Sequence, residues 1–202
     1  MARVLVYYAH PGDRFSHVNA ALFQAARDVD GIATLDLYRA YPRFNIDIDA
    51  EQQRLRDHDV IVFQHPLFWY SPPALIKEWI DLVLEHGFAY GTGGEALHGK
   101  SLLPVLSAAG PEDAYSPEGY QHFELRRFLT PMEQTARLCG MRYLAPYPLY
   151  GALHARDDGR LDPHLAGYRT VLEALRDDRL DLDAASRAET LSADALPLTP
   201  RL

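Results

Sequence analysis

Hydrophobic positions fall along this chain in two alternating rhythms. Short, nearly unbroken apolar runs occur at Arg3 to Ala9 (RVLVYYA), Ile32 to Leu37 (IATLDL), Asp59 to Phe63 (DVIVF), Ser101 to Leu106 (SLLPVL) and Met141 to Tyr147. Their length and β-branched content predict five strands, most of them buried on both faces of a parallel sheet. Between these runs the apolar residues step by three and four. Val18, Leu22, Ala25, Ala26 and Val29 predict a helix with Ser16 as N-cap, and Gly31 ends it. Leu75, Ile76, Trp79, Ile80, Val83 and Leu84 predict another from Pro73 to Glu85, opened by prolines whose missing N–H costs nothing in a first turn. A short helix is expected through Gln52 and Leu55. A longer one is expected from Phe123 to Leu138, with Leu125, Phe128, Leu129, Met132 and Leu138 on one side. A closing helix from Leu165 to Leu180 carries Tyr168, Val171, Leu172 and Leu175. Strands alternating with helices imply right-handed parallel crossovers, and so an α/β three-layer sandwich. Two prolines bear on the ladders: Gln64-His65-Pro66 is expected to stop the third, and Pro104 to weaken the fourth.

In such a sheet a ligand sits beyond the carboxyl ends of the strands, where strand order reverses. Three loops converge there: His10 to Asn19, Gln64 to Ser71, and Ser107 to Gln121. The first runs from a strand into a helix N-terminus, which aims backbone N–H groups at an anion; His10, Arg14, Ser16, His17 and Asn19 are further candidate donors to a phosphate. It has neither G-x-G-x-x-G nor G-x-x-x-x-G-K-[ST], so a dinucleotide fingerprint and a P-loop are unsupported. In the second, Phe68, Trp69 and Tyr70 are consecutive, and three consecutive side chains cannot all enter one core. At least one is expected to face a pocket or another subunit, which suits a planar heterocycle, and the loop's backbone N–H groups are candidates for its pyrimidine edge. The third loop opens with the small residues Ser107, Ala108, Ala109 and Gly110, which leave room for a bulky ring system, followed by Tyr115 as an acid or hydrogen-bond donor.

The chain has 202 residues, a net charge of −8 and a single cysteine. That length fits one domain, taken as residues 1–180, with a tail over 181–202 expected to be poorly ordered or packed on a partner. The acidic balance, with no Lys/Arg run, argues against a nucleic-acid surface. Apolar runs are strand-sized and the first residues lack a signal-peptide layout, so a cytoplasmic protein is expected. Cys139 alone permits no internal disulfide and no cysteine-based zinc site, no metal is expected, and its place before Gly140 at a helix end reads as a small buried side chain.

Four stretches resemble a known family. They are His10-Pro11 with Ser16 and Asn19, HPLFWYSPPALIKEWID from His65, FAYGTGGEALHGK from Phe88, and the loop from Ser107. Together they resemble the flavodoxin-like NAD(P)H:quinone oxidoreductases of the DT-diaphorase type, over about Val4 to Tyr150. Within that group the likeness is to the ancillary flavoproteins of glutathione-gated potassium efflux, which extends to YPRFNIDIDAEQ from Tyr41. The resemblance implies a flavodoxin-like fold with a five-stranded sheet of order 2-1-3-4-5, and a homodimer. It implies FMN or FAD as cofactor, NADPH or NADH as hydride donor, and a quinone or similar electrophile as acceptor. Carried over by position, His10, Ser16, Val18 and Asn19 would contact the flavin phosphate. Pro66, Leu67, Phe68, Trp69 and Tyr70 would line the ring, with Ser107, Ala108, Ala109, Gly110 and Tyr115 on its pyrimidine side. Trp69 and Tyr70, with Tyr115 opposite, would form a substrate slot. The family's histidine, six residues after the tyrosine, falls here on Gln121, and His122 follows it; Tyr115 and His122 are the catalytic candidates. The helix from Pro73 and the loop through Phe88 and Tyr90 are the expected dimer surface. Two other readings stand beside the enzyme: a regulatory subunit of a membrane potassium-efflux protein, peripheral at the inner face of the membrane, and a one-electron carrier.

Overall fold

The computed structural model describes residues 1–12 and 16–199; Arg14 lies outside the described residues. Five parallel strands form the path of the sheet in the order β2-β1-β3-β4-β5: β1 (Val4–Tyr8), β2 (Ile32–Asp36), β3 (Val60–Pro66), β4 (Ser101–Ser107) and β5 (Arg142–Tyr143). A sixth, β6 (Tyr147–Leu149), also pairs with β4. The helices are α1 (His17–Arg27), α2 (Leu37–Ala40), α3 (Ile48–Asp57), α4 (Ala74–Val83), α5 (Leu125–Phe128), α6 (Thr130–Leu138), α7 (Leu161–Arg176) and α8 (Leu182–Arg187). The expected fold and strand order are those observed.

The period-two alternation of the strands divides the core into two layers. Val4, Val6, Val60, Val62, Leu103 and Val105 pack with Val18 and Leu22 of α1 and with Tyr168, Val171 and Leu172 of α7. Leu5, Tyr7, Ile61, Phe63, Leu102 and Leu106 pack on the other face with Leu55, Leu75, Ile76, Trp79 and Met132. A consequence for the site follows directly. Tyr8, Gln64 and Ser107, at the carboxyl ends of β1, β3 and β4, share the face covered by α1 and α7.

Both prolines are accommodated by the parity of a parallel ladder, in which successive residues bond to opposite neighbours. The third ladder does not stop at Gln64: β3 continues to Pro66, paired with Ser107. The Gln64 carbonyl accepts from Ala9 and the Leu67 N–H donates to the Ser107 carbonyl, so the Pro66 nitrogen faces the β1 side, where β1 has already ended. In β4, Ser101 donates to the Asp59 carbonyl while the Leu102 carbonyl accepts from Leu144, which puts the Pro104 nitrogen on the edge side. There the fifth strand is broken into β5 and β6, between Leu144 and Pro146. The segment bonds outward instead: Ala145 donates to the Ala185 carbonyl, and the Pro146 carbonyl accepts from Leu191.

Those two bonds belong to the stretch expected to be loose or partner-packed. From Asp181 to Thr199 it packs on the chain itself, with Ala185 and Leu191 buried and Asp181 capping α8 through the amides of Asp183 and Ala184. The helix expected from Phe123 is split into α5 and α6, with Pro131 in the first turn of α6. Leu138 is exposed rather than on the buried side. The closing helix starts at Leu161, four residues before its expected start. Cys139 is buried at the end of α6, and burial raises its thiol pKa. Of the helix and loop expected as dimer surface, Trp79 and Phe88 are core side chains, while Lys77, Glu78, Asp81 and Tyr90 are among the exposed ones.

The segment from Tyr41 through α3 is held by one buried carboxylate. Glu51 accepts from Tyr7 Oη and Tyr41 Oη at 2.5 Å each, from Trp79 Nε1 at 3.0 Å and from Arg54 at 2.5 Å. Four donors around a fully buried carboxylate meet the condition under which such a charge is tolerated. They tie α3 and α4 to β1.

Candidate functional site

The cleft lies over the carboxyl ends of β1, β3 and β4, at the β1/β3 switch point. Ten sequence-predicted residues line it together: His10, Ser16, His17, Val18, Asn19, Pro66, Leu67, Phe68, Ser107 and Ala109. Ala152 and Leu153 complete a volume of about 240 Å³.

Its floor is polar and ordered. Asn19, in the first turn of α1, donates from Nδ2 to Ser107 Oγ at 2.7 Å, and its backbone carbonyl accepts from Gln64 Nε2 at 2.8 Å. The Asn19 Oδ1 atom is buried and has no partner among the described residues. A buried acceptor without a donor costs on the order of 1–3 kcal/mol, and a bound ligand would supply the missing hydrogen. Ser16 occupies the N-cap position, but its hydroxyl forms no capping bond. It pairs instead with the Tyr8 hydroxyl at 2.7 Å, and Tyr8 in turn stacks on Phe23 at 4.6 Å. The first turn of α1, with His17, Val18 and Asn19 on the cleft, carries the N–H groups that an α-helix leaves without intrahelical acceptors, and with them its positive dipole end. This is chemistry for an anion.

The aromatic wall is a tight turn. Phe68 and Ser71 exchange both backbone hydrogen bonds at 3.0 Å, and Trp69 and Tyr70 between them hold φ of +47° and +66°. Two consecutive positive-φ residues closed by such a bond make a type I′ turn, which ordinarily selects Asn or Gly. Large aromatics in that conformation cost roughly 1–2 kcal/mol each. As expected, the three do not all enter the core: Phe68, Trp69 and Tyr70 are 44%, 92% and 46% exposed. The Leu67 N–H is used by the Ser107 carbonyl and that of Phe68 by Ser71, so only the amides of Trp69 and Tyr70 remain for a ligand edge.

The predicted residues do not all meet in the cleft. His10 is mostly buried, accepts at Nδ1 from the Gly12 N–H at 3.2 Å and sets its ring edge-on to Phe68 at 5.5 Å. Ala108 is buried behind the loop, its N–H bonded to the Leu149 carbonyl. Gly110 sits under two tyrosines: a Cβ there would stand 2.8 Å from Tyr120 Oη and 3.2 Å from the Tyr115 ring. Tyr115 is half-buried, and burial raises its pKa. It belongs to an aromatic group centred on Phe128, which stacks on Tyr70 at 4.9 Å and meets Tyr115 edge-on at 6.1 Å. Tyr70 and Tyr115 thus share Phe128 as a neighbour. His122 is exposed on a turn at φ +63°, its N–H donating to the Gly119 carbonyl.

Sequence reasoning missed Phe128, assigned to a helix core, and the Ala152-Leu153 segment. The latter follows the last strand, so the carboxyl-end rule already pointed to it; Phe128 meets Phe123 edge-on nearby, but the contacts that bring it to Tyr115 and Tyr70 span 13 and 58 positions. Among the described residues there is no helix long and apolar enough to cross a membrane and no cluster of His, Cys, Asp or Glu arranged for a metal.

The model of a family described as having a flavodoxin-like fold matches residues 2–172. The chain is 46% identical over 156 residues, 77% of its length and 85% of the relative's, to the glutathione-regulated potassium-efflux system ancillary protein KefG of Pectobacterium carotovorum. Among solved structures, general stress protein 14 of Treponema denticola, in complex with FMN, superposes with a TM-score of 0.80 at 33% identity, covering 86% of this chain and 99% of that one. An NADPH-quinone reductase from P. pentosaceus superposes with a TM-score of 0.74 at 27% identity over 84% and 96%. A structure titled as a thermophilic tryptophan halogenase gives 0.79 at 42% over 82% and 95%.

Proposed function

Because this chain belongs to the Flavodoxin_2 family, which its residues 2–172 match, we propose that it is an FMN-dependent oxidoreductase that takes a hydride from NADPH or NADH and passes it to a quinone or similar electrophile. The observation that carries the reading is the start of α1 on the cleft, with its free N–H groups and an Asn19 Oδ1 that is buried without a partner among the described residues, beside the strained aromatic turn. The N–H groups suit a flavin phosphate, Oδ1, an acceptor, suits a hydroxyl of the flavin's ribityl chain, and the aromatic turn suits the ring. The FMN complex of the Treponema protein favours the mononucleotide, and the quinone reductase favours the acceptor.

His10, Ser16, His17, Val18 and Asn19 would hold the anionic end, where the α1 dipole favours negative charge. Pro66, Leu67 and Phe68 would wall the ring, with Ser107 and Ala109 opposite. A bound flavin supplies the hydride acceptance and donation that no side chain here can perform. The chain's own part is to orient the partners and exclude water on the buried side of the cleft. Trp69, nearly all exposed, offers a flat face to incoming substrate. Tyr115, neutral at physiological pH and kept so by burial, can donate a hydrogen bond near the third loop. His122 has no proposed role, since nothing on the exposed turn connects it to Tyr115.

The test is a stopped-flow experiment on FMN-loaded protein without oxygen. Reduction by NADPH or NADH followed by reoxidation with a benzoquinone is expected, with parallel lines in steady state. Failure of both nicotinamides to bleach the flavin would remove the enzymatic reading. A second reading, a regulatory subunit of a membrane potassium-efflux protein, draws on the 46% identity to KefG. It predicts co-purification with such a transporter, and it is compatible with turnover.

A further inference from the structure

Polar side chains buried at the centre of a parallel sheet are costly unless each is satisfied, and Gln64 is such a residue: 0% exposed, at the carboxyl half of β3 and level with Tyr8 of β1. Its two amide ends are used differently. Oε1 accepts from the Tyr168 hydroxyl of α7 at 3.3 Å, and Nε2 donates to the Asn19 backbone carbonyl at 2.8 Å. The Asn19 carbonyl, which can only accept, fixes which way the amide faces, because an amide turned over would set oxygen against oxygen; the Tyr168 hydroxyl then secures the amide oxygen on the other side. Tyr168 is itself fully buried, stacked on Tyr147 with ring centroids 6.1 Å apart. From Asn19 the chain of bonds goes on through Nδ2 to Ser107 Oγ. Helix α7, strand β3, the first turn of α1 and the end of β4 are therefore linked by three hydrogen bonds among four residues, and the acceptor left without a partner among the described residues is Oδ1 of Asn19, a residue that lines the cleft.

We infer that Gln64 and Tyr168 are positioning residues of the cleft: through the Asn19 carbonyl they fix the first turn of α1, so that Asn19 presents Oδ1 to the ligand while its Nδ2 stays on Ser107. Neither residue lines the cleft, and neither would touch what binds there. The relay deepens the flavin reading of the site and rests on it.

Its signature is a change in ligand affinity that a merely structural bond would not produce. Tyr168→Phe removes one oxygen and keeps the ring, so the packing on Tyr147 survives. FMN dissociation constants of the apoprotein, read by quenching of flavin fluorescence, are compared for wild type, Tyr168→Phe, Asn19→Ala and the double variant, with thermal melts of the apoproteins alongside. The loss of one orienting hydrogen bond is expected to raise the Kd about three- to tenfold. In the Asn19→Ala background the same substitution is expected to change the Kd by a factor near one, because the backbone carbonyl remains but the carboxamide that the relay positions is gone. Gln64→Met, close in volume, is expected to raise the Kd by at least as much as Tyr168→Phe. A Tyr168→Phe protein with unchanged Kd and a lowered melting temperature would show a structural bond only and overturn the inference. An equal Kd ratio in both backgrounds would overturn it as well. Wild-type protein that binds no FMN would refute the cofactor reading and the relay with it, and so is distinguishable from failure of the relay alone.

Discussion

Replacing Trp69 by glycine separates what the aromatic turn does for the fold from what it does for the site. Trp69 is 92% exposed, so its removal forfeits almost no burial. At φ +47° it pays roughly 1–2 kcal/mol for a left-handed conformation that glycine adopts freely, and glycine's looser unfolded chain returns roughly 0.5–1 kcal/mol of that. Trp69→Gly is therefore expected to leave the apoprotein unchanged or up to about 1 kcal/mol more stable in urea denaturation followed by circular dichroism. If the ring is a contact surface, losing it costs about 0.5–1.5 kcal/mol of aromatic interaction. That corresponds to a two- to tenfold rise in the FMN Kd or in the quinone KM. Tyr70→Gly is the internal comparison, since it also loses the stack on Phe128, and its stability is expected to fall below that of Trp69→Gly. Destabilisation of Trp69→Gly by more than about 1 kcal/mol would make the tryptophan structural. Unaltered Kd, KM and turnover would take it out of the site; either result refutes the reasoning.

Other consequences test separate parts of the structure. Glu51→Gln leaves a neutral group facing Arg54 and one amide hydrogen pair among three donors, and is expected to cost about 3–5 kcal/mol in urea midpoint analysis, with loss of the ordered segment from Tyr41 to α3. Burial lowers the pKa of His65 and of His164 to about 4. Their unfolded value near 6.5 means that the unfolded chain takes up protons first as pH falls, so stability is expected to be full above about pH 6.5 and to decline toward pH 4. The slope approaches about 1.4 kcal/mol per pH unit for each histidine, and urea midpoints at pH 7, 6 and 5 measure it. Desolvation first, and then the bond to Glu51, raise Tyr41 to about 12, so the same reasoning with the opposite sign gives alkaline loss of stability between about pH 10 and 12. Gly110→Ala places a methyl 2.8 Å from the hydroxyl of exposed Tyr120, which can swing away; a melting shift of at most a few degrees is expected, and a collapse of the fold would contradict it.

Much of the fold was written in local pattern. The apolar runs became β1, β3 and β4 because burial on both faces leaves no polar alternation, the half-buried β2 kept some alternation, and the steps of three and four became α1 and α4. What was not legible depended on neighbours. Pro66 and Pro104 are harmless because parity turns their nitrogens toward places where no acceptor waits, which no local rule reveals. The stretch after Asp181 reads polar and small, yet it supplies bonds that the interrupted edge strand needs. For the site, the three converging loops and ten of their residues follow from the carboxyl-end rule and the strand-to-helix turn. Tyr70, Tyr115 and Phe128 meet through tertiary packing alone. The role of Gln64 was hidden because its partners, Asn19 and Tyr168, lie 45 and 104 positions away.

The central claim is that the cleft at the β1/β3 switch point holds a flavin mononucleotide. Titration of the purified apoprotein with FMN, watched by quenching of flavin fluorescence, tests it most directly. The account predicts saturation at one FMN per chain with a Kd in the micromolar range or below, and a loss of affinity of about tenfold in Asn19→Ala, which removes the buried Oδ1 that has no partner among the described residues. An apoprotein that leaves the flavin fluorescence unchanged, or an Asn19→Ala variant that binds as tightly as wild type, would contradict it.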